Sequence, residues 1–315
     1  MCEVTELYPD QHNRSALLRP HRLWLSRLGW ALFAQMAAML AVQMLVGFLV
    51  FRLSPALLHD PAFRWCLSVG SAYGVGVPAF CLALRGMPVP RVRPVRPMGP
   101  LNLGKAYVTA LGLVYLANFL TLMLTRLIGA LRGAGVTNPV DNLDAYPIVL
   151  NLLLGCVIAP VSEEFLFRKL LLDRLRPYGD RFAILASALC FGLFHGNLNQ
   201  FFYAFAVGAI LAYEVLRTGC LWQSILIHAL VNFTSVGLVP LLNLLGQTGQ
   251  HLITLLVLGS MGAAVAFLAA GRRKVCLAPG IVPLPERWKW RLFFLNPGVL
   301  FFLLLALLLT ASYLV

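Results

Sequence analysis

The sequence predicts an all-α polytopic membrane protein, a bundle of about 8–9 transmembrane helices. Composition is the first reason: 60% of the residues are hydrophobic and only 12% are charged, whereas soluble domains carry about 25% charged residues. Patterning is the second reason, because long apolar stretches alternate with short basic breaks along the chain. A membrane-spanning helix needs about 20 apolar residues. The candidate spans are residues 28–51, 65–84, 106–128, 146–168, 182–196, 199–216, 220–245, 251–270 and 292–315.

The positions of the basic residues predict how the chain crosses the membrane. With the N-terminus placed in the cytoplasm, 21 of the 25 Lys and Arg residues fall in inner segments. This is the positive-inside pattern, so topology explains the net charge of +13 and no nucleic-acid partner is expected. We expect a multi-pass integral protein of the cytoplasmic (plasma) membrane, surrounded by the lipid bilayer, with its N-terminus in the cytoplasm.

Composition also divides the chain into four parts. These are a polar cytoplasmic tail (1–27), two apolar spans with a basic Pro-rich loop (28–105), a core that carries the intramembrane polar groups (106–270, with the motifs at 146–245), and a basic interfacial segment with the last span (271–315). The closely spaced prolines of the loop exclude a helix there. The tryptophans of the last part suit a membrane interface.

Three short polar motifs lie inside the apolar spans, where each ionisable side chain costs roughly 2.5 kcal/mol or more. They are Glu163-Glu164-Phe165-Leu166-Phe167-Arg168, Phe191-Gly192-Leu193-Phe194-His195 and His228-Ala229-Leu230-Val231-Asn232. At about 1.5 Å per residue, Glu163 and His195 both lie roughly 20 Å from the basic turn between their spans. His228 lies roughly 16 Å beyond the preceding basic residue by the same arithmetic. The motifs are therefore predicted to meet in one active site inside the bundle.

Helical spacing gives the two glutamates different roles. Glu164 and Arg168 are four residues apart and share a helix face, which predicts a structural ion pair. Glu163 points about 100° away from Glu164 and is left as a free carboxylate suited to general-base chemistry. Phe191 shares a helix face with His195 in the same way.

The remaining polar groups complete a set that can activate water. A carboxylate and an imidazole can hold and deprotonate water, while a second imidazole and a carboxamide can donate hydrogen bonds to an oxyanion. Each motif also has an ordinary explanation: a charged helix end, an interfacial cap, or interhelical hydrogen bonding by polar residues. The three motifs together favour a hydrolytic site over three such coincidences.

A metal site is the open alternative for the same residues. Glu163, His195 and His228 could bind zinc with water as the fourth ligand. The sequence has no His-Glu-x-x-His run, which is the usual helical zinc signature. Because Asn232 can complete an oxyanion site without a metal, we expect that no cofactor is required and keep zinc as the alternative.

The three motifs resemble the signature of the CPBP family of intramembrane proteases, which includes CAAX prenyl endopeptidases of the Rce1 type and bacterial immunity-associated (Abi) relatives. That signature is Glu-Glu-x-x-x-Arg, then Phe-x-x-x-His, then His-x-x-x-Asn or Asp, and the chain matches each part. The resemblance implies peptide-bond hydrolysis in the membrane, by a glutamate or a metal-dependent mechanism. It implies that Glu163 and His195 activate water and that His228 and Asn232 stabilise the oxyanion. The implied substrate is a membrane-associated protein or peptide, either a prenylated CAAX-type protein or a small peptide.

Two other functions compete with proteolysis. The first is a non-proteolytic membrane scaffold or immunity protein of the same fold, which would not need all four polar groups intact. The second is a proton-coupled transporter that uses Glu163 and His195 as a relay. No internal repeat is evident in the sequence, which weakens the transporter hypothesis because many transporters carry inverted repeats.

Overall fold

The computed structural model describes residues 11–89, 95–136, 138 and 146–314. Residues 1–10 of the predicted tail and residues 90–94 of the predicted Pro-rich loop lie outside the described residues. The described helices are α1 (Gln11–Leu53), α2 (Pro61–Ala83), α3 (Pro100–Arg132), α4 (Ile148–Tyr178), α5 (Asp180–Phe194), α6 (Leu198–Thr218), α7 (Leu221–Asn243), α8 (Gln247–Gly271), α9 (Glu286–Phe294) and α10 (Pro297–Ser312). The all-α polytopic membrane fold predicted from the sequence is confirmed.

Fewer helices are long enough to span a membrane than the nine predicted stretches. Among the described residues, seven helices are long and apolar enough, and the α9–α10 pair, bent by 66°, adds an eighth if it forms one span. The predicted span 182–196 falls on α5, which has only 15 residues. Such a helix is about 22 Å long, shorter than the roughly 30 Å hydrocarbon core. The described residues therefore contain seven or eight candidate membrane spans, and α5 is a short helix inside the bundle.

The first helix begins earlier than the sequence predicts. Composition predicts a polar tail over residues 1–27, whereas α1 is helical from Gln11. Leu25 in this part of the helix is fully buried. Trp24 donates a hydrogen bond from Nε1 to the carbonyl of Arg174 in α4, at 3.0 Å. The polar composition of the tail does not predict this part of α1, which packs against α4.

Wider π-helical turns interrupt three of the spanning helices, α2, α4 and α7, and the last two of these carry polar motifs. They cover Gly70–Gly76 in α2, Leu154–Ile158 and Phe165–Leu171 in α4, and Thr234–Leu238 in α7. All but Phe165–Leu171 are followed two residues later by a proline, at Pro78, Pro160 and Pro240. A proline lacks the N–H of the regular helix and crowds the carbonyl four residues earlier, so a wider preceding turn relieves that clash. Such π turns frequently mark functional sites.

The main apolar core lies between α1, α4, α5 and α10. Its fully buried side chains include Leu28, Phe167, Phe182 and Phe302. A smaller core joins α3, α6 and α7. The main core includes residues of α4 and the smaller core includes residues of α7, so the two cores hold in place the helices that carry most of the polar motif residues.

Hydrogen bonds at one end of the bundle hold the predicted inner segments together. They run from Arg27 Nε to Ala83 O (3.0 Å), Arg174 Nη2 to Met87 O (3.1 Å), Arg96 N to Thr218 O (2.7 Å), Asp180 N to Ala278 O (3.0 Å) and Val282 N to Pro177 O (3.0 Å). The last two fix the turn between α4 and α5. That turn sets the relative position of the helices that carry the first two motifs.

Candidate active site

Helix α4 brings two glutamates and an arginine into the interior of the bundle. Glu164 and Arg168 are fully buried, and Glu163 is 5% exposed. Arg168 Nε lies 3.1 Å from Glu164 Oε2, so the two charges form an ion pair. The guanidinium carbon of Arg168 also lies 4.9 Å from the centre of the Phe191 ring, a cation–π contact. The arginine therefore has a carboxylate and an aromatic face to compensate its buried charge.

The imidazole of His228 lies between the two glutamates. Its Nδ1 is 3.1 Å from Glu164 Oε1, and its Nε2 is 3.9 Å from Glu163 Oε2. The Glu164 carboxylate is paired with Arg168 and can only accept a hydrogen bond, so Nδ1 of His228 carries a proton. The other ring nitrogen faces Glu163.

His195 directly follows the last residue of α5 and lies beside the Phe191 ring. Its Nδ1 lies 2.9 Å from the carbonyl oxygen of Phe191, and because a carbonyl only accepts, Nδ1 is the donor. The Nε2 of a neutral His195 is then free to accept a proton. The Phe191 ring centre lies 5.1 Å from the His195 ring and 5.9 Å from the His228 ring.

Asn232 is engaged with the backbone of α4. It stands one turn after His228 on α7, and its Nδ2 donates a hydrogen bond to the carbonyl of Gly155 at 2.7 Å. Gly155 belongs to the wide turn Leu154–Ile158. The carboxamide keeps a second N–H, so it can anchor α7 to α4 and still donate to another group.

Glu163 is not free, contrary to the expectation from helical spacing. The hydroxyl of Tyr73 in α2 donates a hydrogen bond to Glu163 Oε1 at 2.7 Å. The motifs do not predict this contact, because one tyrosine in an apolar span is an ordinary residue. The only local signal is the small-residue pattern Gly70-x-x-x-Gly74, which permits close helix packing.

The residues named as alternative zinc ligands do not form a ready metal site. Among the described residues, no group of three His, Cys, Asp or Glu side chains is arranged to hold a metal ion. Glu163 instead receives the Tyr73 hydroxyl on one oxygen.

Comparison with known proteins finds the same region of the chain. A family model described as "Type II CAAX prenyl endopeptidase Rce1-like" matches residues 145–234, which contain all three motifs. This match agrees with the resemblance of the three motifs to the CPBP signature. A curated relative, "Putative membrane peptidase YdiL" of Bacillus subtilis (strain 168), is 29% identical over 115 residues, or 36% of this chain and 46% of that protein. The match thus spans about half of the relative's length. No solved structure matches the chain significantly.

The match to the family model covers only part of the bundle. It begins just before α4 and ends within α7, so α1, α2 and α3 lie outside it. Tyr73, which holds Glu163, is therefore supplied by a helix that the family match does not include.

Proposed function

We propose that this protein is an intramembrane endopeptidase that hydrolyses a peptide bond of a membrane-associated protein or peptide. The observation that carries the proposal is the buried approach of Glu163 to His228, with 3.9 Å between carboxylate oxygen and ring nitrogen. A buried carboxylate beside the His228 imidazole is costly in a membrane-spanning bundle unless it is used. The name of the Bacillus relative supports peptidase chemistry.

In the proposed reaction Glu163 is the general base and His195 helps it to hold water. A water molecule donates one hydrogen to Glu163 Oε2 and the other to Nε2 of His195. Glu163 accepts a proton as the water oxygen bonds to the carbonyl carbon of the substrate. The tetrahedral intermediate then breaks its carbon–nitrogen bond, and the proton passes from Glu163 to the departing amine.

His228 and Asn232 are proposed to stabilise the oxyanion of that intermediate. His228 can donate from Nε2 when its ring carries both protons, and Glu164 at Nδ1 stabilises that positive ring. Asn232 can donate its second Nδ2 hydrogen while the first stays bonded to Gly155. Preorganised donors of this kind contribute about 2.7–4 kcal/mol each to transition-state stabilisation.

The substrate is proposed to be anchored in or at the bilayer, because the site lies inside a bundle of spanning helices. The family description names CAAX prenyl endopeptidases, so a prenylated CAAX-type protein is one candidate and a small membrane peptide is the other. Both present a peptide bond to a membrane-embedded carboxylate, and the chemistry proposed above is the same for each.

Terminal-peptide mapping of membrane proteins tests the proposal in cells. Cells that carry the native chain would be compared with cells that carry Glu163→Gln at matched expression. Glu214→Gln is the control, because Glu214 is a half-buried glutamate of α6 outside the site. We expect uncleaved precursors to accumulate only with Glu163→Gln. Identical termini in all three strains would contradict proteolysis and favour a scaffold or transport role.

A further inference from the structure

Tyr73 reaches the candidate general base from a part of the chain that the family match does not cover. Its hydroxyl lies 2.7 Å from Glu163 Oε1, within the range of a charge-assisted hydrogen bond to a carboxylate. The residue sits in the wide turn Gly70–Gly76 of α2. This contact joins the N-terminal helix pair directly to the carboxylate.

The turn that carries Tyr73 is itself held by polar side chains of α1. Gln43 donates from Nε2 to the hydroxyl of Ser71 at 3.0 Å. Gln35, which is fully buried, has its Nε2 3.4 Å from the carbonyl oxygen of Ala72. Two glutamines inside one apolar span are costly, and both point at the residues immediately before Tyr73. Helix α1 thus restrains the backbone of the segment that presents the phenol.

Gly76 makes a close packing contact with α1 on the C-terminal side of Tyr73. A Cβ atom added at Gly76 would lie 3.0–3.2 Å from three atoms of Gln35. The absence of a side chain therefore lets α2 approach Gln35 closely. The wide turn is fixed both before and after Tyr73.

The hydrogen bond from Tyr73 to Oε1 of Glu163 determines the direction in which the other oxygen, Oε2, points. A carboxylate can rotate about its last bond, and the Tyr73 hydroxyl at Oε1 fixes that rotation. Oε2 is then the oxygen that faces His228 Nε2. A proton taken up at Oε2 leaves Oε1 as a carbonyl oxygen that still accepts from Tyr73. The contact is therefore compatible with both protonation states of Glu163.

On the basis of the endopeptidase function proposed above, we infer that Tyr73 is a positioning residue of the active site, supplied by the α1–α2 helix pair. It acts through Glu163 by orienting Oε2 toward the attacking water and does not touch the substrate. Misplacing a reacting group by about 1 Å can lower a rate by up to about 100-fold. Loss of the hydroxyl should thus slow the chemical step and leave substrate binding nearly unchanged.

Tyr73→Phe tests this inference because it removes the hydroxyl and keeps the ring. The matched control is Tyr107→Phe: Tyr107 lies in α3, and its hydroxyl makes a 2.7 Å interhelical bond to Thr234. Both variants and Glu163→Gln would be purified as full chains in proteoliposomes. The probe is a fluorogenic peptide that spans the cleavage site found by terminal-peptide mapping. The Glu163 carboxylate band would be followed by infrared difference spectroscopy against Glu163→Gln.

We expect Tyr73→Phe to lower kcat by about 10–100-fold, with KM within about twofold of native and a shifted carboxylate band. Tyr107→Phe should keep kcat and the band. If Glu163→Gln is inactive but Tyr73→Phe is as active as Tyr107→Phe, the inference fails and the endopeptidase function stands. The inference also fails if Tyr73→Phe loses only thermal stability. Full activity of Glu163→Gln would overturn both.

Discussion

The two adjacent glutamates of α4 have different partners, and the roles proposed for them rest on that difference. Glu164 is neutralised by Arg168 and binds His228 Nδ1. Glu163 has no basic partner at ion-pair distance among the described residues except His228, at 3.9 Å. These contacts support the proposed roles, in which Glu164 serves structure and Glu163 transfers the proton.

Arg168→Leu should destabilise the protein strongly. The substitution leaves the fully buried Glu164 carboxylate without its cation, a loss of roughly 3–5 kcal/mol for a buried pair. The control is Lys169→Leu, which removes a partly exposed partner of Asp173 and should cost about 0–1 kcal/mol. Thermal unfolding in detergent measures both. Equal unfolding temperatures for the two variants would show that the buried pair is not structural.

Removal of metal ions should leave proteolysis intact. Glu163 and the histidines have protein partners of their own, and the reaction proposed here assigns every proton to a side chain. Dialysis of the purified protein against a strong chelator should change the rate of peptide cleavage by less than about twofold. A loss of activity that added zinc restores would establish the metal mechanism instead.

The polar motifs were predictable from the sequence because charge inside an apolar span is rare. Tyr73 was not, since a tyrosine in such a span is unremarkable until the fold shows what its hydroxyl contacts. The anchoring of Asn232 on Gly155 also depends on a carbonyl in the wide turn of α4, which no side-chain pattern reports. Residue type thus indicates the acid–base groups, and tertiary structure identifies the residues that orient them.

Helix boundaries followed the apolar stretches except where tertiary packing determines them. The early start of α1 coincides with contacts to α4, and the short α5 is held by the turn at Asp180, whose amide binds Ala278. The length of an apolar stretch in the sequence shows whether a helix could span a bilayer. It does not reveal that a helix of 15 residues is fixed inside the bundle by its neighbours.

The crossing of α1 and α10 depends on two glycines. A Cβ atom at Gly298 would lie 1.9 Å from the backbone oxygen of Ser26, and one at Gly29 would lie 2.2 Å from the backbone nitrogen of Val299. Neither backbone atom can move without separating the helices. The C-terminal helix therefore packs against α1 at backbone-to-backbone distance.

Gly298→Ala should destabilise the protein by about 1–3 kcal/mol, the usual cost of overpacking. Gly259→Ala is the matched control, because a Cβ atom at that helical position meets nothing within 4 Å. It should be neutral or stabilising, by up to about 1 kcal/mol. Unfolding temperatures in detergent compare them. A Gly298→Ala variant as stable as Gly259→Ala would contradict the close crossing.

The basic segments named below lie at one end of the bundle. The N-terminal part of α1, the end of α2, the turn between α4 and α5 and the segment after α8 are joined there by hydrogen bonds. The positive-inside pattern predicts that this end faces the cytoplasm. Cys276 is exposed in the segment that follows α8, so it reports on the orientation.

A membrane-impermeant maleimide should label Cys276 in inside-out vesicles and not in right-side-out vesicles. Cys276→Ser, in the same preparations, identifies the signal that belongs to this residue. Labelling of Cys276 only in right-side-out vesicles would reverse the proposed orientation and place the basic end outside.

The most direct test of the central claim is hydrolysis by the purified protein in proteoliposomes prepared in ¹⁸O-labelled water. Mass spectrometry would follow cleavage of a peptide that spans a mapped site, by the native chain and by Glu163→Gln. The account predicts that the native chain produces a new carboxyl terminus labelled with ¹⁸O and that Glu163→Gln produces none. Undiminished cleavage by Glu163→Gln, or no cleavage by the native chain, would contradict it.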